Sequence, residues 1–336
     1  MHNFFSKYQR DSITLYLRMI DEQLALVTKP TIVRAQWLYE KGRFAFNEGD
    51  YAAALTFSQR GLEYILRYFP DQIRLKYLVL NTIGIGYRRT GQTDEAIAHY
   101  EDLLATSRAE ADQVKMTGAI LNNLGLAYKD CGDWAKAIRC LSDAIHYYAI
   151  NLSPTYEDIG SGYDNIAICY QLEGRLDSAL LYSRKSLDFI KHNLGARHPD
   201  LLLPMCSMMR TYLDEKNLKP ALALHLEAIA LLKDLGWHED NPEGDYYLAD
   251  GFDVFAYGRE IYRDLYDLTQ DTTYLTKAIT DGGYFMAMTD YAYDNLKNDL
   301  SRELFQLKHG HVFAECINDL YTLNQIHPST SLIEKA

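Results

Sequence analysis

The sequence predicts an all-α protein, a solenoid of antiparallel helix pairs, and three observations predict it. A small residue returns at Gly42, Gly84, Gly125 and Ala167, with Met209 in the fifth place, at spacings of 42, 41, 42 and 42 residues. Seven positions after each stands a turn residue: Gly49, Gly91, Gly132, Gly174 and Lys216. Five positions further comes an alanine: Ala54, Ala96, Ala137, Ala179 and Ala221. A period of this length, kept in phase through five copies, marks a unit that buries its apolar face only by stacking on its neighbours.

Residues 1–33 are expected to form an N-terminal capping helix, because Ile13, Leu17, Ile20 and Leu24 share one helical face that can cover the open end of the first repeat. Residues 34–233 hold the five repeats. In each, the small residue lets a second helix approach the first, and Tyr87, Tyr128, Tyr170 and Tyr212, three positions on, fill the space beside it. Glycine at the turn takes the left-handed backbone that ends a helix, and Asp94 or Asp133 then meets the unpaired amides of the next. Alanine marks the crossing, where a larger side chain would push the pair apart. Leu62, Leu104, Ile145, Leu187 and Ile229, eight residues past each alanine, extend the apolar face.

The phase breaks after Lys233. Residues 234–258 contain Asp234, Glu239, Asp240, Glu243, Asp245, Asp250 and Asp253 and no Lys or Arg, which reads as a solvated acidic linker; oxygen ligands at calcium-loop spacing are absent. Residues 259–336 read as degenerate helical pairs, since "LYDLTQDTTYLTKA" and "LYTLNQIHPSTSLIEKA" repeat one another as helix end, turn and helix start. The second copy stops where its partner helix begins, so the native chain is expected to continue.

Charge and cysteine usage bound the function. The net charge of −12 comes from 34 basic and 46 acidic residues and disfavours nucleic acid or an anionic membrane as partner. Five cysteines with no CxxC pair suit reduced thiols in a cytoplasmic protein, with Cys131 and Cys140 read as inert. The N-terminus lacks the pattern of a signal peptide, and the longest apolar run, Leu201 to Met209, is far short of the roughly 20 residues that span a bilayer.

The stretch "NNLGLAYKDCGDWAKAIRCLSDAI", Asn122 to Ile145, resembles the tetratricopeptide repeat, with its Leu-Gly-x-x-Tyr, its Gly-Asp-aromatic turn and its Ala and aliphatic positions. The resemblance covers Arg34 to Leu232 and implies a right-handed superhelix. The period is eight residues longer than the family's usual length of about 34, or roughly two more helical turns. Such long repeats are similar to those of kinesin light chains, whose Leu-Gly-x-x-His-Pro-Asp pattern is matched at Leu194 to Asp200. Repeats followed by "LYxL…LxKA" pairs also resemble the N-terminal half of bacterial proteins in which such arrays precede a caspase-like CHAT protease domain. Similar arrays precede histidine kinases and transcription regulators, and these alternatives stay open.

No nucleophile, base or cofactor motif is legible. Gly84, Gly86 and Gly91 are not a phosphate loop, because Arg89 stands where a dinucleotide fingerprint needs its third glycine. His309 and His311 lack a third metal ligand and read as two solvated histidines. The chain is therefore expected to be a non-catalytic scaffold without cofactor that binds a protein or peptide. The family resemblance implies a concave groove lined by the first helices: Tyr39, Arg43, Phe46 and Asn47, then Asn81, Arg88 and Arg89, then Asn122, Asn123 and Lys129, then Asp164, Asn165 and Gln171, and finally Arg210. The asparagines suit a peptide backbone, and Arg43, Arg88, Arg89, Lys129 and Arg210 suit acidic side chains or a carboxylate. Lys and Asn do not together fill the carboxylate clamp of chaperone-binding relatives, so a chaperone C-terminus is not the expected ligand.

Overall fold

The computed structural model describes residues 7–107, 114–240, 251–294 and 299–326. Among the described residues there are fourteen α-helices, one 3-10 turn and no strand, arranged as two compact units. The first runs from the N-terminal helix to residue 169; the second runs from residue 170 through most of the last helix.

In the first unit, α1 (Lys7–Ala25) precedes the pairs α2 (Ile32–Asn47) with α3 (Tyr51–Tyr68), α4 (Ile73–Arg89) with α5 (Thr93–Ser107), and α6 (Val114–Asp130) with α7 (Trp134–Asn151). Each helix from α2 to α6 packs on the next, and the first helices also touch one another, α2 with α4 and α4 with α6. Of the face expected to cover the first repeat, Leu24 is buried, Leu17 half-buried and Ile20 exposed; the side chain of Ile13 lies outside the described ones. Asp21 anchors α1 instead, accepting from Trp37 Nε1 at 2.8 Å and from Lys41 Nζ at 2.7 Å.

The boundary between the units falls within α8 (Asp158–Leu172). The second unit continues with α9 (Leu176–Asn193), then α10 (Leu202–Asp214) with α11 (Leu218–Asp234), α12 (Gly251–Thr269) with α13 (Thr272–Asp294), and α14 (Asp299–Ile326). Here too each helix from α9 to α12 packs on its successor, and the first helices α10 and α12 touch.

The five crossing alanines occupy like surroundings: Ala54, Ala96, Ala137, Ala179 and Ala221 are each at most 1% exposed. They open a stripe at the alanine and four, seven and eleven residues beyond it, so that Ala137, Leu141, Ala144 and Tyr148 on α7 are all buried, as are Ala54, Ser58, Gly61 and Ile65 on α3. This spacing puts one narrow face of each second helix into the core, and burying a side chain the size of Ile65 or Leu141 contributes about 1.5–3 kcal/mol. The aliphatics at the eighth position are only half-buried and flank that seam.

Close approach explains the small residues of the first helices. A β-carbon on Gly84 would lie 2.4 Å from the Tyr100 ring, one on Gly42 2.7 Å from Ser58 Oγ, and one on Gly125 2.8 Å from Leu141. The opposing residue always stands four after the alanine, and its size varies from Ser to Tyr while the glycine stays. At the turns Gly49, Gly91, Gly132 and Gly174 have φ between +72° and +84°, and Lys216 adopts φ +55° at the same place. Asp50 and Asp133 cap α3 and α7 by accepting from Ala53 N and Lys136 N, whereas Asp94 sits inside the first turn of α5.

The reading of 234–258 as a solvated linker needs correction at both ends. Trp237 is buried, with Phe255 and Tyr284 at ring-centroid distances of 4.9 and 5.1 Å, and Gly251 to Gly258 belong to α12, where Phe252, Val254 and Phe255 enter the core. Residues 241–250 lie outside the described ones. Charge counting missed this because the apolar residues that dock are interleaved with the acids. "LYDLTQDTTYLTKA" forms the end of α12, a turn at Gln270 and Asp271, and the start of α13, with Asp271 Oδ1 accepting from Thr273 N at 2.9 Å. The later stretch ends α14, and its residues from 327 onward lie outside the described ones.

Buried polar groups fasten this unit. Arg259 donates to Asp319 and Glu315, and Arg263 Nη1 donates to Asp319 Oδ1 at 2.9 Å, which ties α12 to α14. His225 Nε2 lies 2.9 Å from Asp281 Oδ2, and neither side chain is more than 7% exposed. Gly258 makes room for this pair, since a β-carbon there would lie 2.1 Å from the imidazole. His309, expected to be solvated, is buried against Phe252 and Phe285 at 4.8 and 6.0 Å; His311 is exposed.

Candidate peptide-binding surface

In the first unit the side-by-side packing of α2, α4 and α6 brings same-register residues of successive repeats together. Asn123 Nδ2 donates to Asn81 Oδ1 at 2.9 Å, which joins residues 42 apart, and the Asn81 carbonyl accepts from Tyr100 Oη at 3.1 Å. Two helical turns along the same faces, Arg88 Nη1 donates to Asp130 Oδ2 at 2.9 Å, again across 42 residues. Lys129 Nζ lies 3.8 Å from Asp130 Oδ1, and the Arg89 guanidinium sits 6.0 Å from the centre of the Tyr51 ring.

The electrostatics of this patch follow from burial. Desolvation pushes the Lys129 pKa below the ordinary lysine value; Asp130 opposes the shift, and Arg88 adds to it. Desolvation of its guanidinium and then the charge of Arg88 also lower Arg89, although the residue as a whole remains exposed. On α2, Arg43 is stacked 5.7 Å from the Tyr39 ring and paired with Glu40 at 3.0 Å; burial raises the Tyr39 phenol. Phe46 packs on Tyr51 at 5.4 Å, and Asn47 is exposed. Asn122 and Asn165 are half-buried. Asp164 departs from the expected groove position, because its side chain is fully buried within the first unit and presents nothing to solvent.

In the second unit Gln171 Nε2 donates to Asp214 Oδ2 at 2.8 Å. Arg210 lies 3.2 Å from Asp214 and 3.5 Å from Glu260. Arg43, Asn81, Arg88, Asn123, Lys129, Gln171 and Arg210, expected to await a ligand, thus already hold partners, most of them carboxylates absent from the sequence-derived set. Asp130 and Asp214 stand five positions after Gly125 and Met209, so the repeat register itself carried the signal. The second unit also has an open apolar depression of about 620 Å³ lined by Leu218, Leu222, Leu226, Leu265 and Leu268. Among the described residues no three His, Cys, Asp or Glu side chains converge to hold a metal ion, and no helix is long and apolar enough to cross a membrane.

A family model for the tetratricopeptide repeat matches residues 80–114, and a second of the same description matches residues 116–191. The chain carries tetratricopeptide repeats. Solved structures with similar repeat folds include a Rap protein complexed with competence and sporulation factor, 14% identical at a TM-score of 0.60 over 90% of this chain and 80% of that one. BtubC (BKLC) from P. vanneervenii is 15% identical at 0.56, over 68% of this chain and 89% of that one. A Podospora anserina protein with kinesin-light-chain-type, nearly identical TPR-like repeats is 17% identical at 0.50, over 62% and 99%. A comparison with curated proteins gave no match. At these identities the likeness establishes the fold, and it agrees with the long, kinesin-light-chain-like period of these tetratricopeptide repeats.

Proposed function

We propose that the chain is a non-catalytic interaction scaffold that captures a protein or peptide along its first helices. The observation that carries this reading is the strip on α4 and α6, where the Asn81 and Asn123 amides of successive repeats stand side by side and, two turns on, Arg88 stands beside Asp130. Spaced donors and acceptors of this kind suit an extended backbone with acidic side chains. In the first unit the proposed groove residues are Tyr39, Arg43, Asn47, Asn81, Arg88, Arg89, Asn122, Asn123, Lys129 and Asn165; in the second unit, taken by itself, the corresponding positions are Gln171 and Arg210. The "LYxL…LxKA" pairs support placing it as the regulatory half of a larger cytoplasmic bacterial protein with a CHAT-type protease effector. The likeness to a Rap protein bound to its factor favours the second reading, the sensing region of a peptide-responsive transcription regulator or a histidine kinase.

Replacing Arg88, Asn122 and Asn165 together, as Arg88→Gln, Asn122→Ala and Asn165→Ala, should reduce capture of partner peptides by at least tenfold while the far-ultraviolet helical signal is unchanged. A screen of a random peptide library on the wild-type chain, repeated on the triple variant, checks this. Equal capture by both proteins would move the site elsewhere.

A further inference from the structure

The patch around Arg88 has an excess of positive charge that the fold does not balance. Arg88, Arg89 and Lys129 stand together with Asp130 as the carboxylate between them, in a chain whose net charge is −12. The Arg88 side chain is only 9% exposed, and its Nε is buried without a hydrogen-bond partner. Arg88 and Lys129, with side chains 9% and 20% exposed, are withdrawn from water with one carboxylate between them, which is unfavourable, so the pair, with the exposed Arg89 beside it, is arranged to receive negative charge. Asp130 is the more exposed member of its pair with Arg88, at 29%, and can turn to solvent.

We propose that Arg88, Arg89 and Lys129 form a subsite for a side-chain carboxylate of an acidic peptide, and that Asp130 occupies this subsite as an internal competitor until the peptide displaces it. The proposal rests on the groove reading above and adds to it the residues that would hold one acidic side chain and a means of regulation. Two features of the strip make the exchange workable. The Arg88–Asp130 and Asn81–Asn123 bonds lie two turns apart on the same pair of faces, so a peptide that takes the guanidinium with a carboxylate can reach the amide pair with its backbone. An arginine fork donates two parallel bonds to a carboxylate, whereas the present pair uses one nitrogen of Arg88.

The test is a titration of the purified chain with end-blocked hexaglutamate and, in parallel, end-blocked hexaglutamine, on the wild type, Asp130→Asn and Arg88→Gln. Asp130→Asn removes the competitor's charge and should tighten hexaglutamate roughly three- to tenfold, with a steeper loss of affinity as salt is added. Arg88→Gln should weaken hexaglutamate by about tenfold, and neither variant should alter hexaglutamine. Asp130→Ser provides the same comparison should Asp130→Asn fail to fold. Unchanged or weaker hexaglutamate affinity on removing Asp130, or no hexaglutamate binding by any of the proteins, overturns the subsite. If library peptides are still captured by the wild type and lost by the triple variant, the groove reading survives that result; if that difference is also missing, both fail.

Discussion

Replacing His225 by alanine should lower the unfolding free energy by about 3–5 kcal/mol, the usual consequence of breaking a buried pair and leaving its carboxyl partner behind. His225 is fully buried on α11, and its Nε2 stands 2.9 Å from Asp281 on α13, in the space left by Gly258 on α12. Burial holds the Asp281 carboxyl above its ordinary pKa, against the opposing effects of His225 and Lys277. Removing the imidazole leaves a carboxylate with Lys277 as its remaining nearby cation. The sign of the pH dependence follows. A carboxyl whose folded pKa lies above its unfolded value stabilises the fold below the unfolded pKa and loses that contribution as pH rises through the folded one. The deficit of His225→Ala should therefore be smallest in acid and grow toward neutral pH, read by urea unfolding at several pH values. The double variant His225→Leu with Asp281→Leu should recover most of the loss, because paired apolar replacement removes the desolvation along with the interaction. A deficit of similar size in both proteins would mean that shape alone matters at this crossing.

The second large effect lies at the opposite kind of crossing, where space is the limit. Gly84→Ala is expected to destabilise by about 1–3 kcal/mol, since its β-carbon falls 2.4 Å from a Tyr100 ring that is itself fully buried and donates to the Asn81 carbonyl. The ring has no free space to move into, so α4 and α5 must separate. Combining Gly84→Ala with Tyr100→Ser, the residue type that opposes Gly42, should cost less than the sum of the two single changes, with a coupling of about 0.5–3 kcal/mol. Thermal or denaturant unfolding of the four proteins checks this; strict additivity would show that the two residues do not oppose one another.

Local chemistry made much of the fold legible. Positive backbone φ at four turn glycines, and at Lys216 in the fifth, follows from helix termination, and the buried alanines follow from the closeness of paired helices. What could not be read was decided by contacts between distant residues. Trp237 and Phe252 looked like parts of an acidic linker, and only packing on Phe255, Tyr284, Phe285 and His309 makes them core. Asp164 shares the helical phase of groove residues yet is fully buried, because periodicity fixes a face and not what covers it. The groove cations were legible as a set. Their partners Asp130 and Asp214 were overlooked because acids were counted toward the net charge and not placed in the repeat register.

Successive repeats place residues 42 apart in contact, and disulfide trapping tests this most directly. In a chain with Cys131 and Cys140 replaced by serine, cysteines introduced as Asn81→Cys and Asn123→Cys should oxidise to an intramolecular disulfide, because the native side chains are within hydrogen-bond distance. Asn81→Cys combined with a cysteine at Asp143 on the far helix should not. Peptide mapping that finds the 81–123 link and no 81–143 link agrees with the stack of repeats. Its absence, or equal trapping of both pairs, would contradict it.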